Sequence, residues 1–331
     1  MENQIRQYLT KKIETVAPSD FDSLAMEVFQ YQAQRNMLYA QYLRLLQKPP
    51  ESVTAPADIP FLPIQFFKNQ TIQTGTWTPA DTFSSSGTTG QITSRHAVRA
   101  PGFYLRNTRR GFEHFYGNLA DYCVLALLPA YLERPGSSLV AMADYFIQQS
   151  RYAPSGFFLY NTNELLKVVQ ICQKKQWPVL LLGVTFALLD LAEQRPTDLS
   201  GITIMETGGM KGRRREMIRS ELHEVLCSAF RVQTIHSEYG MTELFSQAYS
   251  KGQGLFYPAP TMRVYARQIT DPLAAEMPGK TGALNIIDLA NLDTISFIAT
   301  DDLGKVYPNG SFEVLGRLDN SDLRGCNLMV Q

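Results

Sequence analysis

Short apolar runs alternate with helix-like segments through the middle of the chain, and this alternation limits the possible folds most strongly. The runs lie at 123–128, 178–182, 202–205 and 232–236, and helical segments follow the first three, for example at 213–230. Strands that alternate with helices predict crossover connections and a largely parallel sheet. We therefore expect an α/β fold, mostly parallel strands flanked by helices.

The sequence patterns near the two ends of the chain differ from the pattern in the middle. Apolar residues recur at helical spacing from 19 to 48, which predicts one long amphipathic helix that ends at two consecutive prolines. After Glu243 the sequence changes to shorter strands separated by turn signals, as in a β-rich subdomain. We place this subdomain at about 245–315.

Composition and charge exclude several classes of protein. Hydrophobic residues make up 44% of the 331 residues and charged residues 19%, which is typical of globular proteins rather than disordered chains. The 31 basic residues balance the 31 acidic residues, so no net charge attracts the chain to nucleic acid or to an anionic membrane. We expect no nucleic-acid partner.

Neither a secretory signal nor a membrane span is expected. Residues 1–12 lack the apolar core of a signal peptide. The longest apolar stretch, 179–189, is about half the ~20 residues that a membrane-crossing helix needs. The four cysteines form no C-x-x-C pair, which argues against a zinc site or a disulfide scaffold. These features favour the cytoplasm.

The segment 83–90 is a run of serine, threonine and glycine after one phenylalanine. Its hydroxyls and backbone N–H groups suit a phosphate, and a flexible linker has the same composition. A Walker loop is excluded, because Ala274 stands where the first glycine should precede the Gly279-Lys280-Thr281 sequence. Composition alone leaves the phosphate site and the linker open.

The run 237–243 directly follows the predicted strand 232–236. Its Tyr239, Thr242 and Glu243 are therefore expected at the carboxyl end of a parallel sheet, where ligands bind. There a ring can stack on a base, a hydroxyl can bond a phosphate oxygen, and a carboxylate can hold Mg²⁺. A polar loop at a strand end is the alternative.

Two further motifs carry acidic and basic groups. Asp302 belongs to the run 300–304 at the end of another predicted strand, where a carboxylate can accept both hydroxyls of a ribose. Arg317 follows in the sequence G-R-L-D and offers a fork of donors to a ribose or a phosphate. Alone, the first is also compatible with a turn and the second with an exposed salt bridge.

Together the four motifs resemble those of the adenylate-forming enzymes, which include acyl-CoA synthetases. They match [ST]-S-G-T-T-G, Y-G-x-T-E, T-x-D and G-R-x-D, in this order, between 85 and 319. Within that superfamily the chain looks most like the branch of phenylacetate-CoA ligase and the LuxE-type acyl-protein synthetases. The segments 59–68, 128–134 and 323–326 favour the LuxE type.

The resemblance implies a large N-terminal domain at 1–315 and, at 316–331, a hinge with only a vestige of the mobile C-terminal domain. It implies that ATP and Mg²⁺ activate a carboxylic acid, with a fatty acid favoured, to an acyl-adenylate. A thiol then takes the acyl group, either on an acceptor protein such as a reductase or carrier, or on CoA. Alternatives are a phenylacetate-type acyl-CoA ligase, a non-catalytic nucleotide- or acyl-binding subunit, and an ATP-independent acyltransferase.

The resemblance also implies roles for the motif residues. Tyr239 would stack on adenine, Thr242 would contact the α-phosphate and Glu243 would bind Mg²⁺. Asp302 with Arg317 would hold the ribose. The other nucleotide-binding candidates are small residues expected beside the phosphates or the base: Ser85, Ser86, Gly87, Thr88, Thr89, Gly90, Gly208, Gly209 and Gly240.

The sequence departs from the family pattern at two lysines. Thr93 stands where the phosphate loop carries a lysine. The mobile C-terminal domain of such enzymes supplies a second lysine, for which Lys68 and Lys211 are candidate replacements. His96 is interpreted either as a solvated loop residue or as a substitute for the lysine of the loop.

Two residues are candidates for direct chemistry. Cys326 lies beside Arg324, whose charge favours a thiolate, so it is the candidate acyl acceptor; a small buried residue is the alternative. His236 ends the predicted strand 232–236 and is a candidate for orienting the substrate carboxylate, with a purely structural role as the alternative.

Overall fold

The computed structural model describes residues 2–85, 92–128, 136–159, 161–208 and 217–318. No helix in these ranges is long and apolar enough to cross a membrane. The helices are α1 (Glu2–Glu14), α2 (Phe21–Arg35), α3 (Met37–Leu45), α4 (Phe66–Asn69), α5 (Pro101–Tyr116), α6 (Ser138–Gln149), α7 (Thr162–Lys175), α8 (Thr185–Gln194) and α9 (Arg219–Phe230). The strands are β1 (Leu62–Pro63), β2 (Asp81–Ser84), β3 (Arg95–Val98), β4 (Cys123–Leu127), β5 (Gly156–Phe157), β6 (Val179–Val184), β7 (Thr203–Thr207), β8 (His236–Tyr239), β9 (Ala248–Ser250), β10 (Leu255–Pro258), β11 (Met262–Arg267), β12 (Thr281–Asp288), β13 (Phe297–Val306) and β14 (Phe312–Arg317).

Twelve of the described strands form one continuous mixed sheet. Its order is β11-β12-β13-β14-β10-β9-β8-β7-β6-β4-β5, with β1 beside β13. Strands β5, β4, β6, β7 and β8 are parallel, and the pairs that link β8 to β11 are antiparallel. The expected α/β fold is confirmed. The strands after Glu243, β9 to β14, extend the same sheet in antiparallel pairs.

The central parallel strands are covered on both faces. Every residue of β4 and β6 is buried, and their sequences C-V-L-A-L and V-L-L-L-G-V are continuously apolar, as this environment requires. Helix α6 packs against β4, and α8 packs against β6 and β7. The carboxyl ends of the parallel strands lie at one edge of the sheet, which is where such folds bind ligands.

The prediction of one long helix from 19 to 48 is wrong. The chain forms α2 and α3 instead, because Asn36 between them adopts an extended conformation. Its side-chain oxygen accepts a hydrogen bond from the backbone N–H of Tyr39 at 3.0 Å and caps α3. Its amide nitrogen donates to the backbone oxygen of Thr294 at 2.9 Å, so a tertiary contact outweighs the helical periodicity.

A separate hairpin of β2 and β3 flanks the serine- and glycine-rich segment. At the end of the hairpin next to this segment, the backbone N–H of Ser85 donates to the Ser94 carbonyl at 3.1 Å, and the Ser94 N–H donates to the Ser85 hydroxyl at 2.9 Å. These two bonds fix both ends of the segment that carries the first motif.

A glycine in β13 is required by the close approach of β14. A Cβ on Gly304 would overlap the backbone oxygen of Glu313, beside the irregular register at Leu303. We predict that Gly304→Ala lowers the free energy of unfolding by about 1–3 kcal/mol, since backbone atoms must shift. The control Gly156→Ala, where a Cβ meets no atom within 4 Å, should change it by less than about 0.5 kcal/mol. Chemical denaturation of both variants measures the difference, and equal effects would contradict this account of the β13–β14 pair.

Candidate functional site

Three motif residues from three strands meet at one carboxylate. The Tyr239 hydroxyl donates to Asp302 Oδ2 at 2.7 Å, and Arg317 Nε donates to Asp302 Oδ1 at 3.1 Å. Asp302 and Arg317 are register partners across β13 and β14. The structure therefore brings together side chains that lie 63 and 15 positions apart in the sequence.

The strand positions of Tyr239 and Asp302 differ from those expected. Tyr239 is the last residue of β8 rather than a loop residue, and Asp302 lies inside the ten-residue strand β13 rather than at its end. The Tyr239 ring is only 8% exposed and packs edge-on against Phe256 and Phe312. Burial, together with the Asp302 carboxylate, raises the pKa of Tyr239 well above its usual range, so the phenol stays protonated and donates.

Glu243 lies beside the end of the β2–β3 hairpin. Its carboxyl group is 7% exposed and hydrogen-bonds the Ser94 side chain. Burial raises the pKa of Glu243, although the Ser94 hydrogen bond acts in the opposite direction. Because Ser94 is bonded to Ser85, the glutamate of the second motif lies next to the base of the first motif. The residues at 86–90 are outside the described ranges.

His96 anchors the loop that carries Thr242. Its Nδ1 lies 2.9 Å from the Thr242 backbone oxygen, its Nε2 lies 2.8 Å from the Thr294 hydroxyl, and its ring stacks on Phe245 at 4.4 Å. Burial lowers the pKa of His96 to about 4, so the ring is neutral. Nδ1 then donates to the carbonyl, and Nε2 accepts from the hydroxyl. Both interpretations of His96 from the sequence, a solvated residue and a lysine substitute, are wrong, because the side chain is completely buried and both nitrogens are used.

Asp288 and Asn291 hold the next part of the same loop, and the sequence reasoning missed both. Asp288 accepts from the backbone N–H groups of Phe245 at 2.7 Å and Ser246 at 2.8 Å. Asn291 Nδ2 donates to the backbone oxygen of Glu243 at 2.7 Å. A D-L-A-N turn after an apolar strand is a weak signal, since only the folded chain brings it to the loop at 243–246.

The structure does not place His236 with these residues. His236 begins β8 rather than ending a strand, so it lies at the opposite end of this strand from Tyr239. At a rise of about 3.3 Å per residue, the two residues are about 10 Å apart. Its Nδ1 lies 3.0 Å from the Tyr116 hydroxyl. The histidine is therefore separated from the cluster of Tyr239, Asp302 and Glu243 by the length of β8.

The structure describes two of the candidate glycines, and glycine is favoured at each for a different reason. Gly208 follows β7 with φ +78°, which favours glycine. A Cβ on Gly240 would overlap the carboxylate of Glu238, a buried residue that the sequence reasoning did not consider. Lys68 is exposed on α4, next to Phe67, whose ring packs against His96. Gly209, Lys211 and Cys326 lie outside the described ranges.

No protein-family model and no curated protein match the chain. Solved structures do match it. MatB from Rhodopseudomonas palustris, with bound ATP, is 16% identical with a TM-score of 0.54, and the match covers 74% of this chain and 50% of MatB. O-succinylbenzoate coenzyme A synthetase (MenE) from Bacillus subtilis, in complex with AMP, is 17% identical with a TM-score of 0.50 over 74% and 50% of the two chains.

A third structure, McyG A-PCP complexed with phenylalanyl-adenylate, is 16% identical with a TM-score of 0.52 over 74% of this chain and 48% of that chain. This chain has the fold of the N-terminal domain of adenylate-forming enzymes. The match spans about half the length of each neighbour. At these identities the likeness establishes the fold, and the narrower resemblance to the LuxE type stays a prediction.

The buried, neutral His96 makes stability depend on pH. In the unfolded chain its pKa is about 6.5, above the value of about 4 in the folded protein. Between these values the unfolded chain binds the extra proton, so the histidine's contribution to stability falls as pH falls. We predict that His96→Gln is less stable than the unchanged protein at pH 7, by about 1–3 kcal/mol, and that the gap narrows toward pH 5.

Thermal unfolding from pH 5 to 8 measures this gap. The control is His114→Gln on the exposed side of α5, which should keep a constant offset from the unchanged protein. A constant offset for His96→Gln as well would contradict the assignment of a neutral, buried His96.

Proposed function

We propose that this chain binds ATP and Mg²⁺ and joins a carboxylic acid to the α-phosphate, forming an acyl-adenylate and pyrophosphate. One observation carries the proposal. Tyr239 and Arg317 both donate to the Asp302 carboxylate, on a fold whose neighbours bind ATP, AMP and an aminoacyl-adenylate. These ligands are the substrate, a product and an intermediate of adenylation chemistry.

Asp302 is suited to a ribose because it is held but not saturated. From the described residues each of its oxygens accepts one hydrogen bond, one from Tyr239 and the other from Arg317, whereas a carboxylate has about four acceptor positions. Two acceptor positions therefore stay open for the two ribose hydroxyls. Because Tyr239 and Arg317 already fix the carboxylate, binding requires little reorganisation.

Glu243 and Thr242 are suited to the phosphates. The Glu243 carboxyl and the Ser94 hydroxyl form an oxygen-rich group beside the hairpin end, which fits a hard cation bound by one carboxylate and by phosphate oxygens. Bound there, Mg²⁺ would supply positive charge that reduces the repulsion between the acid and the phosphate. His96 fixes the Thr242 backbone, so this loop is positioned before ligand binds.

We further propose that a thiol accepts the acyl group. Support for this step comes from the sequence resemblance alone, which leaves Cys326, an acceptor protein and CoA as candidate thiols. The described part of the chain contains Cys123 and Cys172, both buried, and Cys227, which is half-buried. Burial raises the pKa of each of these three thiols, which disfavours the reactive thiolate.

We predict magnesium-dependent pyrophosphate release from ATP that requires a carboxylic acid. We would assay acids from acetate to palmitate, phenylacetate and amino acids, without CoA, and trap the adenylate with hydroxylamine. Release with one class of acid, together with its hydroxamate, is the expected result. Binding of ATP without any release across the panel would favour the non-catalytic nucleotide-binding alternative.

A further prediction concerns the proposed contact between Asp302 and the ribose. Asp302→Asn removes the charge that would accept both hydroxyls, and hydrogen bonds to a charged group contribute on the order of 1.5–3 kcal/mol each. We expect the dissociation constant for ATP to rise at least tenfold. The control Asp301→Asn changes the neighbouring carboxylate, which instead accepts from Gln65 at 2.6 Å, and should leave ATP affinity within about twofold. Equal effects of both changes on calorimetric ATP binding would remove Asp302 from the site.

A further inference from the structure

A second group of polar side chains lies on the opposite face of β8. Glu238 precedes Tyr239 in the strand, so the two side chains point to opposite faces. Glu238 is the register partner of Tyr249 in the antiparallel strand β9, which places these two side chains next to each other on one face. Gln247, two residues before Tyr249, continues the row on the same face beside Gly240.

Two polar atoms in this row have no hydrogen-bond partner among the described residues. They are the side-chain oxygen of Gln247 and the hydroxyl of Tyr249, whose residues are 3% and 1% exposed. Buried polar groups in folded proteins are nearly always paired, because leaving one unpaired is costly. Two adjacent exceptions on one face therefore indicate a group that the described part of the chain does not supply.

The carboxylate of Glu238 adds an unbalanced charge to the same place. It is 8% exposed and accepts a short hydrogen bond from the Thr207 hydroxyl. No Lys, Arg or His of the described chain forms an ion pair with it. Glu206 on β7 shows the contrast, because it lies 3.4 Å from Arg219 and 3.7 Å from His223. A buried carboxylate without a cation is unfavourable unless it is protonated or a cation binds.

The helix over this face does not satisfy these groups. Tyr249 packs against the rings of Phe112, Phe115 and Tyr116 in α5. Another phenol on that helix, Tyr104, donates to the Ser138 backbone oxygen at 2.9 Å. Glu238 contributes to raising the pKa of both Tyr104 and Tyr249, after burial itself, which places all three groups close together.

Gly240 allows the Glu238 carboxylate to lie close against the backbone at the end of β8. A Cβ there would overlap Glu238 and would lie 3.5 Å from Gln247. Glu238 and Gln247 therefore both border Gly240 at the carboxyl end of β8, next to Tyr239, whose hydroxyl donates to Asp302. A substrate acid whose carboxylate reacts at that edge can direct its other end to this face.

We propose that Glu238, Gln247 and Tyr249 form the subsite for the side chain of the substrate acid, and that this acid carries a protonated amine. An ammonium group supplies three donors and one positive charge, which match the two acceptor oxygens of Glu238 and Gln247 and the uncompensated carboxylate. This substrate class replaces the fatty acid favoured by the sequence. The inference rests on the proposed adenylation.

The pKa of Glu238 agrees with this assignment. Burial, with a contribution from Glu206, raises it to about 7 in the free chain. Among the described residues, the groups around Glu238 are thus Glu206, the hydroxyl of Thr207 and the phenols of Tyr104 and Tyr249, none of which is cationic. An ammonium ion bound beside the carboxylate would stabilise its charged form.

The test uses matched acids that differ only in the amine: 6-aminohexanoate and hexanoate, 4-aminobutyrate and butyrate, phenylalanine and 3-phenylpropionate. Pyrophosphate release and calorimetric binding in the presence of ATP are measured for each pair. In at least one pair the amine-bearing acid should bind at least tenfold more tightly and be used at least tenfold more efficiently. Glu238→Gln should reduce this preference at least tenfold, whereas Glu221→Gln, on the exposed side of α9, should leave it unchanged.

A second variant separates function from folding. Tyr249→Phe removes an unpartnered hydroxyl, so its melting temperature should be equal or higher while the preference for the amine falls. Preference for the acids without an amine, or a preference that survives both changes, overturns the inference and leaves adenylation standing. Binding of the amine-bearing acid without pyrophosphate release would instead support the subsite and overturn the proposed reaction.

Discussion

Asp288 joins the two halves of the sheet, and the candidate site depends on this junction. The residue ends β12 in the antiparallel half, is completely buried, and accepts hydrogen bonds from the backbone of Phe245, Ser246 and Ala290 and from the Ser246 hydroxyl. Burial raises its pKa to about 6, although these four donors act against the rise. At neutral pH the carboxylate is therefore mostly charged and holds the β8–β9 loop. That loop carries Thr242 and Glu243.

Much of the fold could be predicted from the sequence because its signals are local. Apolar runs such as 123–128 and 178–182 predict buried parallel strands, and the structure confirms them as β4 and β6. The prediction of one long helix failed because Asn36 hydrogen-bonds Thr294, which lies 258 positions away. A pattern that is read over neighbouring residues cannot reveal such a contact. The two interpretations of His96 failed for the same reason, because its partners Thr242 and Thr294 belong to distant segments of the sequence.

The candidate site shows the same difference between what short motifs predict and what only the folded chain reveals. Three short motifs were enough to select Tyr239, Glu243, Asp302 and Arg317, and the structure places Tyr239, Asp302 and Arg317 in contact. The motifs carry no information on groups that act through folded contacts. Glu238 is such a group, since its burial and its unpartnered neighbours arise from β9 and α5 rather than from adjacent residues.

The alternation of side chains along β8 explains how one strand can serve two parts of a substrate. Tyr239 directs its hydroxyl to Asp302 on one face, and Glu238 faces Tyr249 on the other. On the first face each Asp302 oxygen has a donor within the described chain, whereas the second face contains buried oxygens that have no hydrogen-bond partner among the described residues. Such an arrangement lowers the stability of the free protein, and a sequence selected for stability alone would replace Tyr249 by phenylalanine. The cost is explained if a ligand supplies the missing donors, because binding then gains the hydrogen bonds that folding leaves unmade.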